Sequence, residues 1–217
     1  LSQVRETKVK LGVDVLRAND YSILKGKRVG LITNPTGIAA DMLTTVDILW
    51  NAETVKLVAL FGPEHGVRGD MEAGKYVESF VDQKTNLPVY SLYGKTRKPT
   101  TEMLHGIDVL VYDIQDIGVR SYTYISTMGL AMEAAAEVGI EFVVLDRPNP
   151  LTGTRVEGPM LDPAYKSFVG AYPIPYVYGM TAGELALMVN EEGWIGSKKC
   201  NLKVVPMEGW KRSMWWD

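Results

Sequence analysis

The chain has 217 residues, 46 % of them hydrophobic, with a net charge of −3 and a pI near 5.5. That length and apolar content can bury one large core, and the mild acidity leaves no basic footprint for a nucleic-acid partner. No stretch approaches the roughly 18 consecutive apolar residues of a membrane span, and a single cysteine, Cys200, excludes an intramolecular disulfide.

Leu1 to Lys10 mix charge and polarity without periodicity and read as a mobile leader. Val13, Leu16, Ile23 and Leu24 predict a first amphipathic helix ending at Gly26. Arg28 to Thr33 is a strand stopped by Asn34-Pro35-Thr36-Gly37, and the spacing of Leu43, Val46, Leu49 and Trp50 predicts a helix from Asp41 to Trp50. An apolar strand over 55–61 runs into Gly62-Pro63, then into Glu64-His65-Gly66-Val67-Arg68-Gly69. Gly69 to Asn86 is polar and weakly patterned, an excursion over the rim of that strand. Pro88 to Tyr90 is a short strand leading to Tyr93, and Thr100 to Leu104 a short helix. Val109 to Tyr112 is the clearest strand and ends in Asp113-Ile114-Gln115-Asp116. Ile125, Met128, Met132 and Ala136 make one face of a helix that Gly139 caps. Phe142 to Leu145 is a strand followed by Asp146-Arg147-Pro148-Asn149-Pro150. Residues 151–180, rich in Pro, Gly and Tyr, read as irregular. Thr181 with Glu184 forms a capping box opening a helix through Asn190, and Leu202 to Val205 is the last strand. Trp210, Trp215 and Trp216 crowd the final eight residues, which predicts that a further domain continues the chain.

Strands alternating with helices, each strand a continuous apolar run, predict an α/β fold: a mostly parallel sheet with helices on both faces. Ligands of such sheets bind beyond the carboxyl ends of the strands. Those ends carry Asn34, Glu64-His65, Tyr93, Asp113 with Asp116, and Asp146-Arg147, which parallel strands would turn toward one rim.

The rim lacks a dinucleotide fingerprint, a P-loop and a G-x-S-x-G elbow, and two histidines with one cysteine argue against a structural zinc site. Its assets are carboxylates, guanidinia and tyrosines. Paired carboxylates suit glycosidic cleavage, in which one acid protonates the leaving oxygen and another group assists at the anomeric carbon. Glu64, beside Pro63 and a buried strand, is the candidate proton donor, with burial raising its pKa; its plainer role is helix capping or an ion pair with Arg68. His65 either orients Glu64 or binds a substrate hydroxyl. Asp113 or Asp116 is the candidate second carboxylate, against simple turn capping. Arg120 and Arg147 can each hold a substrate carboxylate in a fork, or pair with Asp116 or Asp146. Tyr122, Tyr124, Tyr172, Tyr176 and Tyr178 can wall a sugar site or simply pack. Glu64, Asp113 and Asp116 could instead hold Mg²⁺ or Ca²⁺ in a metal-dependent phosphoesterase, and the tyrosines suit a non-catalytic cell-wall sugar-binding module. His105 reads as a helix C-terminal cap and Cys200 as an incidental thiol.

The segments Leu11-Gly12-Val13-Asp14, Gly30 to Gly37, Phe61 to Gly69, Tyr112 to Tyr124 and Leu145 to Pro150 are together similar to the bacterial exo-β-N-acetylmuramidases, from about residue 11 onward. The resemblance implies a Rossmann-like catalytic domain over 11–217, a smaller C-terminal domain beyond it, and a site in a cleft at the domain's edge. It implies removal of terminal N-acetylmuramic acid from the non-reducing end of peptidoglycan fragments, with Glu64 as catalytic acid and no cofactor. Asn34, His65, Arg68, Gln115, Arg120, Tyr122, Tyr124, Asp146 and Arg147 are then the candidates for holding substrate, and the lactyl carboxylate gives an arginine its purpose. An exported protein is expected: periplasmic, secreted or envelope-associated.

Overall fold

The structure, a computed structural model, describes residues 8–63, 66–69 and 80–215. The chain-order elements are α1 (Gly12–Ala18), β1 (Arg28–Thr33), α2 (Thr45–Trp50), β2 (Lys56–Gly62), β3 (Phe80–Val81), β4 (Pro88–Ser91), β5 (Val109–Asp113), α3 (Tyr124–Val138), β6 (Glu141–Leu145), α4 (Ala182–Glu191) and β7 (Asn201–Val205). The strands form one sheet in the order β3-β4-β2-β1-β5-β6-β7. Six run parallel, and β3 alone pairs antiparallel, at the β4 edge. From β1 the chain moves outward through β2 and β4, then returns to lay β5 on the other side of β1 and continues outward. The strand order therefore reverses between β1 and β5, the place where open α/β sheets take their ligands.

Apolar runs follow from two-sided cover. Val109 and Val111 of β5 pack with Val13, Leu16, Val46 and Leu49 of α1 and α2. Leu110 and Tyr112 of the same strand pack with Ile125, Met128, Met132, Leu185 and Val189 of α3 and α4. Each large side chain so removed from water contributes about 1.5–3 kcal/mol.

Helix ends depart from the periodic reading where the backbone turns left-handed. The helix predicted to reach Gly26 stops at Ala18, because Asp20 and Tyr21 adopt φ of 49° and 51°. The helix predicted from Asp41 starts at Thr45: Met42 sits at φ 67°, and the Thr44 hydroxyl accepts the Asp47 amide at 3.1 Å as N-cap. Thr100 to Leu104 forms consecutive turns and no helix. By contrast α3 ends as its sequence demands, at Gly139 with φ 77°. The α4 capping box is present, Thr181 Oγ1 accepting the Glu184 amide and Glu184 the Thr181 amide.

Candidate active site

Register fixes the rim. Thr33, the last residue of β1, lies opposite Asp113, the last of β5. The Thr33 hydroxyl donates to the Asp113 carbonyl at 2.8 Å, tying the two strand ends across the reversal. Just beyond, Asn34 is buried and its side-chain oxygen accepts the Thr36 amide at 2.9 Å, an Asx turn. Thr36 Oγ1 in turn accepts the Gln115 amide at 2.9 Å. Gln115 Nε2 donates to the carbonyls of Asp116 and Pro148, both at 2.7 Å. Asn34 and Gln115 thus stitch the loops after β1, β5 and β6 together.

Asp113 is fully buried. Arg147 grips it bidentately, Nε to Oδ1 at 2.6 Å and Nη2 to Oδ2 at 2.9 Å, and the Thr45 hydroxyl donates to Oδ2. Arg147, only 4 % exposed, also donates to the Ile38 carbonyl. The reading that Arg147 would pair with Asp146 or Asp116 is corrected: its carboxylate is Asp113, 34 residues away.

Asp146 has a different task. Its oxygens accept the Gly183 amide and the Thr181 hydroxyl, both at 2.8 Å, and the Arg147 amide at 3.0 Å, which fastens β6 to the start of α4. Burial raises its pKa against the pull of those donors.

Asp116 is the unusual acid. One oxygen, Oδ2, accepts the Tyr178 hydroxyl and the Gly118 amide; Oδ1 is buried and takes no hydrogen bond among the described residues. Burial dominates and lifts its pKa to about 6, although both donors favour the ionised form. Tyr178 therefore serves the acid and does not wall a sugar site, a role invisible locally because 62 residues separate the two.

The remaining candidates spread around this centre. Arg120 meets neither Asp116 nor Asp146: its Nη1 donates to the carbonyls of Pro159 and Ile174, its guanidinium lies over the Tyr176 ring at 5.8 Å, and its amide donates to Tyr176 O at 2.7 Å. It clamps the 159–176 segment to the loop after β5. Tyr122 and Tyr124 meet edge to face at 4.8 Å, with Tyr124 buried. Arg68 pairs with Asp82 at 2.6 and 3.1 Å and approaches Asp47 at 3.6 Å. Glu64 and His65, which directly follow β2 and Pro63 in sequence, lie outside the described residues, as does most of the excursion after Gly69. Among the described residues no three His, Cys, Asp or Glu side chains group as a metal site, and no helix is long and apolar enough to cross a membrane. Cys200 is buried, which pushes its thiol up to about 12.

Residues 29–217 match the family described as Exo-beta-N-acetylmuramidase NamZ, N-terminal. The chain is 57 % identical over 213 residues to the Peptidoglycan beta-N-acetylmuramidase NamZ of Bacillus subtilis (strain 168), covering 98 % of this chain and 51 % of that protein. It therefore spans about half the length of the curated relative it matches. Two crystal structures of DUF1343 family proteins from Bacteroides fragilis NCTC 9343 share the fold. One is 61 % identical with a TM-score of 0.89, covering 95 % of this chain and 52 % of that one; the other is 40 % identical at 0.84, covering 97 % and 55 %. On sequence and architecture together, the chain belongs to the NamZ N-terminal family of exo-β-N-acetylmuramidases.

Proposed function

We propose that the protein is a glycoside hydrolase that releases terminal N-acetylmuramic acid from the non-reducing end of peptidoglycan fragments. The observation that carries this is the 57 % identity, across nearly the whole chain, to a peptidoglycan β-N-acetylmuramidase. The rim gives the reaction a physical basis. Glu64 follows the carboxyl end of β2, the strand next to β1, and hands a proton to the departing sugar oxygen as the C1–O bond breaks; one water is added across that bond overall. Of the two acids at the carboxyl end of β5, Asp116 retains chemistry, with Oδ1 uncommitted and a pKa near the working range, and it is the second carboxyl of the pair. Asp113, engaged at both oxygens, anchors the rim instead. His65, Arg68, Asn34, Gln115, Arg120, Tyr122, Tyr124, Asp146 and Arg147 shape or border the substrate cleft, and the substrate class places the enzyme outside the cytoplasm. No cofactor is needed for such a hydrolysis.

The test is release of chromophore from a chromogenic N-acetylmuramide by the full-length protein and by its Glu64→Gln variant. A loss of at least about 10²-fold is expected on removing the general acid. Equal turnover by both proteins takes Glu64 out of the mechanism, and no release by the wild type overturns the substrate class.

A further inference from the structure

Away from the rim, the outer flank of α3 carries a groove with the makings of a binding site. A cavity of about 350 Å³ lies between α3 and residues 166–172, lined among others by Arg97, Ser126, Phe168, Tyr172 and Trp194. A second cavity of about 460 Å³ shares Lys166, Ala171 and Trp194 with it, so the two adjoin along one wall. No residue assigned above to the rim's acids or their partners lines either space.

We propose that this groove is a second saccharide site, built for an acidic sugar unit of a longer chain. The choice of sugar rests on the function proposed above; the groove itself does not. Three observations converge. The Ser126 hydroxyl is buried, faces this cavity's wall and has no hydrogen-bond partner among the described residues. Tyr172 is 4 % exposed, and no hydrogen bond to its hydroxyl is made among the described residues. A buried hydroxyl without a partner is costly, so Ser126 Oγ calls for a polar atom from outside the protein, and the Tyr172 hydroxyl beside it is free to bond to the same molecule. The second observation is charge. Among the described residues neither Arg97 nor Lys166 has an acidic partner, whereas Glu133, the one carboxylate of the groove, shares Lys98 with Glu137, at 2.9 and 2.7 Å. The groove is left with a positive balance suited to a carboxylate. The third is the aromatic surface. Tyr172 and Trp194 stack with centroids 6.0 Å apart and planes 19° apart, and the Arg97 guanidinium lies 4.3 Å over the Phe168 ring. Stacked rings offer the flat apolar platform on which a pyranose face rests.

The helix is cut to fit this arrangement. Gly129 stands mid-α3, where glycine is unfavourable, and a Cβ there would collide with the Tyr172 hydroxyl. The glycine lets the phenol lie across the helix and reach the cavity. Aromatic platform, hydroxyls and unpaired cations together match a pyranose bearing a carboxylate.

The test follows the Trp194 indole N–H resonance, identified by its loss in Trp194→Phe, while the protein is titrated with N-acetylmuramic acid and, separately, N-acetylglucosamine. The acidic sugar is expected to shift the resonance saturably and the neutral one far less. The pair Arg97→Ala and Lys166→Ala, both exposed positions, should raise the half-saturation concentration at least about tenfold, the loss of a charge-assisted contact. Turnover of the small chromogenic substrate should stay within about twofold in that variant, since its anchor lies elsewhere. An unmoved Trp194 signal, an equal response to both sugars, or an unaltered half-saturation in the double variant each overturns the proposal. Hydrolysis without a Trp194 response removes this site and leaves the proposed reaction standing; a response without hydrolysis does the reverse.

Discussion

Asp113 closes β5 and Asp116 lies three residues beyond it, both buried, yet the fold treats them in opposite ways. Asp113 meets a guanidinium through two bonds and a hydroxyl through a third, and is anchored as an ion. Asp116 meets only neutral donors, on one oxygen, and burial lifts its pKa to about 6. The lesson is that equal burial leaves two neighbouring carboxylates with unlike partners: a guanidinium in bonding contact with one, and only neutral donors on the other. One acid thereby fixes the rim's geometry, and the other keeps the freedom to change protonation near neutral pH.

Removing the cation should have the largest consequence. Arg147→Ala strands a carboxylate that water cannot reach, and a loss of about 3–5 kcal/mol is expected from the shift of a urea midpoint. A loss below about 1 kcal/mol would mean that Asp113 is not held as an ion. Asp116 sharpens the contrast through pH. Its folded pKa, about 6, lies above the ordinary 3.8, so between these values the folded state binds more protons than the unfolded one. Stability then falls as pH rises from about 4 to about 6, by about 3 kcal/mol in all, and levels off above that. Asp116→Asn should flatten this descent in a series of urea midpoints; an unchanged slope would break the comparison. Tyr178→Phe removes a bond to the ionised form and should push the descent to higher pH, at a cost of about 1–2 kcal/mol near neutrality.

Why the sequence shows some of this and hides the rest follows from range. The six parallel strands are legible because their runs are largely apolar, as in Val109 to Tyr112, whereas the two-residue antiparallel β3, Phe80–Val81, lies in the stretch read as an excursion. The C-terminal end of α3 and the start of α4 are legible because Gly139 and Thr181 act within one helical turn. Asp20, Tyr21 and Met42 at positive φ carry no such signal, and the helices predicted through them are shorter in the structure. Convergence of the strand ends could be argued from parallelism, but partners could not. Arg147 selects Asp113 over the adjacent Asp146, and Tyr178 reaches Asp116 across 62 residues; no local spacing encodes either.

The smallest effect expected belongs to the third acid, Asp82, which stands between the other two in character. Like Asp113 it has a guanidinium, Arg68 at 2.6 Å, and like Asp116 it caps a turn, accepting the Thr85 amide at 2.9 Å. Arg68 is the main reason its pKa falls to about 2, and the arginine side chain is 27 % exposed. A lowered folded pKa contributes stability that is present above the ordinary 3.8 and is lost as pH falls toward 2. Arg68→Ala should therefore cost about 1 kcal/mol near neutral pH, the upper end for a partly solvated pair, and the difference from wild type should shrink through that acid window. A cost at Arg68 that persists undiminished at pH 2 would show that the arginine acts by packing its stem and not by its charge.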